Sequence, residues 1–190
     1  MSDDENRRRF EALALPHLDA AYNLARWLTH NDHDAQDVVQ EALVRAMRYI
    51  ASFRGDGARA WMLQIVRHTC YSWLKENRPA LRVVFDHADD PWQDIAAPSA
   101  DEPLALSMRS ADRQRINEAI AGLPVPYREV LVLRELEDLS YSDIARIADI
   151  PVGTVMSRLA RARGLMRTAL APNARPVLRP VPRSTHGGGQ

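Results

Sequence analysis

Leu139-Ser-Tyr-Ser-Asp-Ile-Ala-Arg-Ile-Ala-Asp-Ile-Pro-Val-Gly-Thr-Val-Met-Ser-Arg-Leu-Ala-Arg-Ala-Arg163 is the stretch on which the fold turns. Ser140 and Asp143 make a capping box, a hydroxyl at the helix N-cap with a carboxylate three residues on. A short helix follows, with Ile144, Ala145 and Ala148 directed inward. Asp149-Ile150-Pro151 forces a turn, because the residue before a proline avoids the helical region. Pro151 then opens a second helix at the position where a missing N–H costs nothing. Gly153 is expected to allow close approach of the backbone. Val155 and Leu159 point back to the core, leaving Thr154, Ser157, Arg158, Arg161 and Arg163 for the outer side. Two short helices joined by a tight turn, the second carrying Arg, Ser and Thr, have the form of a helix-turn-helix whose second helix enters a major groove. The N-terminus of that helix adds an attraction for phosphate.

Outward from this stretch, charge is laid down in blocks. The formal net charge is zero. Yet from Ile150 onward there are seven arginines and no Asp or Glu, while Val83 to Met108 holds six acids and no Lys or Arg. A basic block at the helix-turn-helix suits a polyanion. Lys75 is the only lysine among 25 basic residues. Arginine's planar fork suits bidentate contact to phosphate and guanine.

Nearly every periodic segment reads as helix. In Ala35–Ile50 the apolar positions Ala35, Val38, Val39, Ala42, Leu43, Ala46 and Ile50 keep the 3.6-residue period. Asp37, Gln40, Glu41, Arg45 and Arg48 fall on the opposite face. Phe10–Leu28, Trp61–Leu74 and Tyr127–Glu137 are further helices, and a helical pattern also runs through Ile116, Ala119, Ile120 and Leu123. No alternating strand pattern occurs. From Pro79 to about Arg109 the period lapses and Pro91, Pro98 and Pro103 intervene, which reads as a linker. After Ala171 the tail lacks the apolar mass to fold. The expected architecture is all-α: two small helical domains at residues 10–78 and 111–171, a flexible acidic linker at 79–110, and a disordered tail at 172–190.

Several chemistries are set aside. One cysteine, Cys70, excludes an internal disulfide and a multi-cysteine zinc site, and it implies a reducing, cytoplasmic setting. No apolar run approaches the roughly 20 residues of a membrane span. Ser72-Trp-Leu-Lys75 fits a Ser-x-x-Lys nucleophile, but the Lys-Thr-Gly element that chemistry needs cannot exist in a chain with one lysine. His30-Asn-Asp-His33-Asp34 reads as the polar start of a helix rather than a metal site. No catalytic residue, metal or cofactor is expected, and the chain is not read as an enzyme.

With those residues in view, Leu139–Ala145 and Ile150–Arg163 closely resemble the C-terminal DNA-binding region of extracytoplasmic-function sigma factors, the small members of the bacterial sigma-70 family. Leu123-Pro-Val-Pro-Tyr-Arg-Glu-Val-Leu-Val-Leu-Arg-Glu135 resembles the first half of that region. Asp34–Ala46 resembles the segment that grips the RNA polymerase clamp, and Phe53–His68 the segment that melts and reads the minus-10 element. The resemblance implies that Asp37, Gln40 and Glu41 bind core RNA polymerase. It implies that Arg54, Arg59, Trp61, Arg67 and His68 read the minus-10 element, with arginines beside aromatics suiting single-stranded DNA. It implies that Thr154, Ser157, Arg158 and Arg161 contact the minus-35 element. Met156 stands where many relatives carry Lys or Arg, and His68 and Ser72 where Asn and Asp are common. The implied partners are core RNA polymerase, promoter DNA as duplex and melted strand, and an anti-sigma factor. The alternatives are a helix-turn-helix regulator acting without polymerase, or an adaptor that sequesters an anti-sigma factor.

Overall fold

A computed structural model of the chain describes residues 3–55, 57–78 and 110–171. Among these, regular structure is entirely helical. The helices are α1 (Asp3–Ala14), α2 (Leu18–Thr29), α3 (Asp32–Tyr49), α4 (Ala58–Asn77), α5 (Ser110–Gly122), α6 (Val125–Leu131), α7 (Tyr141–Ala148) and α8 (Val152–Leu170). The expected linker and tail lie outside the described residues, apart from Ser110, which starts α5.

Local chemistry places the boundaries. The single helix expected over Phe10–Leu28 is interrupted by a 3-10 turn at Leu15–His17, because Pro16 lacks the donor that a continuous helix needs. The chain before Phe10, which carried no helical expectation, is helical from Asp3. His30, at φ 61°, closes α2 in the left-handed conformation. Asn31 then caps α3, its side chain accepting from the N–H groups of His33 (2.8 Å) and Asp34 (3.1 Å). The helix expected over Tyr127–Glu137 is α6 followed by a π-helical turn at Val132–Leu136, where Glu137 N–H reaches back to the Val132 carbonyl at 3.1 Å.

The first unit packs α2, α3 and α4 around Leu24, Leu28, Val38, Ala42, Met62, Leu63, Val66 and Leu74, all buried. The second wraps α5–α8 around Val130, Leu133, Ile144, Ile147, Val155, Leu159 and Met166. These side chains belong to one continuous cluster, so the two units share a hydrophobic seam. Helix α2 lies against α6 and α4 against α7.

Arg128 ties the seam. Its side chain is buried and donates to the carbonyls of Ile120 (3.2 Å), Ala121 (2.9 Å) and Leu123 (2.5 Å) around the end of α5, and to Trp27 of α2 (3.1 Å). The last carbonyls of a helix have no partner within it, and one guanidinium here satisfies several of them. Gly57, at φ 94°, permits a second close approach. A Cβ there would meet Arg146 Nη2 at 2.9 Å and force it aside.

Candidate nucleic-acid interface

The helix-turn-helix forms as its residues dictate. Ser140 caps α7, accepting from Asp143 N–H at 3.1 Å and donating to Asp143 Oδ2 at 2.7 Å. Asp149, at φ 54°, ends the helix in the left-handed region, and Ile150 N–H closes on the Ala145 carbonyl at 3.1 Å. Pro151 is the N-cap of α8, one position earlier than the first-turn place expected for it. Val155, Leu159, Ala162 and Met166 fill the inner face, and Val152, Gly153, Met156 and Ser157 form the exposed outer face near the N-terminus.

Not every expected position lies on that face. Thr154 and Arg158 are half-buried on its flanks, and so is Arg161 further along. Arg158 faces the seam closely enough for its charge to act on the Tyr71 phenol of α4. Arg163, expected on the outer side, is buried against the π-turn, with Nη2 donating to Glu135 Oε1 at 2.8 Å. Burial works against its charge, but Glu135 and Tyr141 hold its pKa above the ordinary arginine value. Gly153 has open space where a Cβ would sit, so no part of the described protein crowds it.

Helix α3 brings Asp37, Gln40 and Glu41 onto one exposed face, opposite buried Val38, Val39 and Ala42. Asp37 pairs with His33 at 3.3 Å and Glu41 with Arg45 at 2.9 Å. Such exposed pairs are worth little and are readily exchanged for a partner's charges. Val44 and Met47 continue this face with exposed apolar surface.

The residues expected to read a melted strand lie on and just before α4. Arg54 is exposed, and Arg59 sits in the first turn of α4 rather than in the loop. Trp61 is half-buried, its ring centroid 4.7 Å from that of Phe53. His68 is exposed, its pKa lowered by partial burial and by the Arg67 charge, against opposing pulls from Asp149 and Glu129.

Two arginines of this group are bonded to carboxylates of the second unit. Arg67 Nε donates to Glu129 Oε1 at 2.5 Å, and Tyr71 Oη donates to Glu129 Oε2 at 3.0 Å. Arg59 Nη2 donates to Glu137 Oε2 at 2.7 Å, while Asn23 Nδ2 donates to Glu137 Oε1 at 2.5 Å. Glu129 is fully buried and Glu137 nearly so. Burial opposes the Arg67 charge, yet Glu129 and Tyr71 more than offset this and raise its pKa. Burial and the Glu129 charge push the Tyr71 phenol well up, so it stays protonated and donates. Gln64 Nε2 adds a bond to the Arg146 carbonyl at 3.3 Å. Sequence reasoning missed Glu129, Glu137 and Tyr71. One signal was present for the first: Glu129 stands beside Val130-Leu131-Val132-Leu133, four residues before Leu133, on a helix face that is otherwise apolar.

A helical bundle joined to a helix-turn-helix unit, with arginines on both, defines a regulatory DNA-binding protein. Residues 13–79 match the family Sigma-70 region 2, and residues 113–166 match Sigma-70, region 4. Over 171 residues the chain is 34% identical to the RNA polymerase sigma-H factor of Pseudomonas aeruginosa, covering 88% of this chain and 89% of that protein. It is 37% identical over 143 residues to the ECF RNA polymerase sigma-E factor of Escherichia coli K12, covering 73% and 75% of the two chains. The chain therefore belongs to the sigma-70 family, among its extracytoplasmic-function (ECF) RNA polymerase sigma factors. Among solved structures it is similar to the sigma factor RpoE of Bartonella quintana in complex with the anti-sigma factor NepR, with a TM-score of 0.65, 25% identity and coverage of 86% and 98%. CnrH, solved with the cytosolic domain of CnrY, shares the fold at a TM-score of 0.62 and 24% identity, with coverage of 88% and 91%.

Proposed function

We propose that the chain binds core RNA polymerase and directs promoter-specific initiation, its first unit melting and reading the minus-10 element and its helix-turn-helix docking on the minus-35 element. The observation that carries this reading is the presence, in order in one chain, of both sigma-70 regions with their helical frames intact. The acidic and polar face of Asp37, Gln40 and Glu41 supplies the polymerase contact. Arg54, Arg59, Trp61, Arg67 and His68 engage the melted minus-10 strand, where bases need stacking partners and phosphates need charge. Thr154, Ser157, Arg158 and Arg161 engage minus-35 DNA from the N-terminal half of α8 and its flanks, as recognition helices do. Residues 10–78 and 111–171 are the two functional domains, with 79–110 as the connecting strap.

The protein acts by binding and performs no catalysis of its own. Among the described residues no helix is long and apolar enough to cross a membrane, in keeping with work on the chromosome in the cytoplasm. An anti-sigma factor is a fitting regulatory partner, since the solved RpoE of similar fold is bound to one.

The deciding experiment is run-off transcription with core polymerase, with and without the protein, on genomic templates. A promoter-dependent transcript that requires the protein is expected. Its absence on every template, with footprinting of duplex DNA by the protein alone, would instead establish a regulator that works without polymerase.

A further inference from the structure

The outer face of α8 carries two exposed apolar side chains at the point where a recognition helix meets DNA. Val152 is 43% exposed and Met156 45%, four residues apart and therefore side by side on one face. Ser157 and Gly153 flank them, and Ser157 Oγ turns inward to the Thr154 carbonyl at 3.0 Å, which leaves the face less polar than its composition suggests. No acid occurs from Ile150 to the C-terminus, so nothing on this block repels a phosphate backbone. The edge of a major groove offers donors, acceptors and one apolar group, the C5-methyl of thymine. We propose that Met156, supported by Val152, forms an apolar pad that reads a thymine methyl within the minus-35 element. This rests on the sigma reading above and adds to it the chemistry of one base contact.

Removing the methyl while keeping the base tests the proposal. Holoenzyme assembled with core polymerase is titrated on promoter duplexes in which each minus-35 thymine is replaced in turn by deoxyuridine. One position should bind about fourfold more weakly, the equivalent of the roughly 0.8 kcal/mol gained by burying a methyl-sized group. With Met156→Ala that sensitivity should vanish, while the deoxyuridine duplex is bound alike by both proteins. Methyl sensitivity at no position, or one that persists in Met156→Ala, overturns the pad. Promoter binding by the holoenzyme in that same experiment keeps the sigma reading standing, and failure of any holoenzyme to bind removes both.

Discussion

Glu129 has no exposed surface and accepts from both Arg67 and Tyr71. A buried ion pair contributes little against a well-packed apolar replacement, but removal of one partner leaves a costly bare charge. Glu129→Leu alone should therefore cost about 3–5 kcal/mol in urea unfolding, and adding Arg67→Met should recover most of it. Cys70 makes the opposite case, a residue with no polar part to play. It is buried on α4, and burial followed by the Glu129 charge pushes its thiol far above the ordinary range. Since the thiolate is the reactive form, iodoacetamide should leave Cys70 unmodified in the native protein and label it fully in denaturant, as mass spectrometry would read. The burial of Cys70 follows from Val66 and Leu74, four residues to either side and buried on the same face of α4. The sequence offered no comparable guide to the fate of Arg163, whose partner Glu135 lies 28 residues away.

The helix-turn-helix was the most legible element, because each of its boundaries has a local cause. A hydroxyl at Ser140, a left-handed Asp149 and Pro151 determine where α7 starts, where it ends and where α8 begins. Ser140→Ala should lower stability by about 1 kcal/mol, the usual worth of an N-cap, measured as a drop in the thermal midpoint. Less legible were the break at Leu15–His17 and the π-turn at Val132–Leu136. Pro16 was a visible signal, overridden in the reading by an apolar period that continues on both sides of it. The π-turn has no such marker. Its sequence holds no Gly or Pro to signal the change, and the turn packs against α2, α6 and α7.

For the molecule as a whole, the two domains could be read from the sequence and their contact could not. Pairs such as Arg67–Glu129 and Arg59–Glu137 join residues 62 and 78 positions apart, and neither helix shows in its own pattern that the other is near. Two histidines of the first unit contribute to the response to acid. His17 is lowered by burial and then by Arg59, His68 by burial and then by Arg67. Both histidines take up protons less readily when folded than at their ordinary value of 6.5. The unfolded chain therefore binds more protons as pH falls, so stability is full above about pH 6.5 and declines below it. Urea midpoints at pH 7.5, 6.5 and 5.5 should fall in that order, and His68→Gln should flatten part of the slope.

Arg128 gives the closed seam an order in time. Its guanidinium stands at the junction of both units, gripping Trp27 from across the seam, and Glu129 and Glu137 follow it in the chain. During synthesis, α4 leaves the ribosome well before any of the three. Chains emerge at roughly 5–20 residues per second, so for some seconds the nascent first unit presents Arg59 and Arg67 uncovered. A newborn chain thus carries both arginines for a time without the carboxylates that hold them in the finished fold.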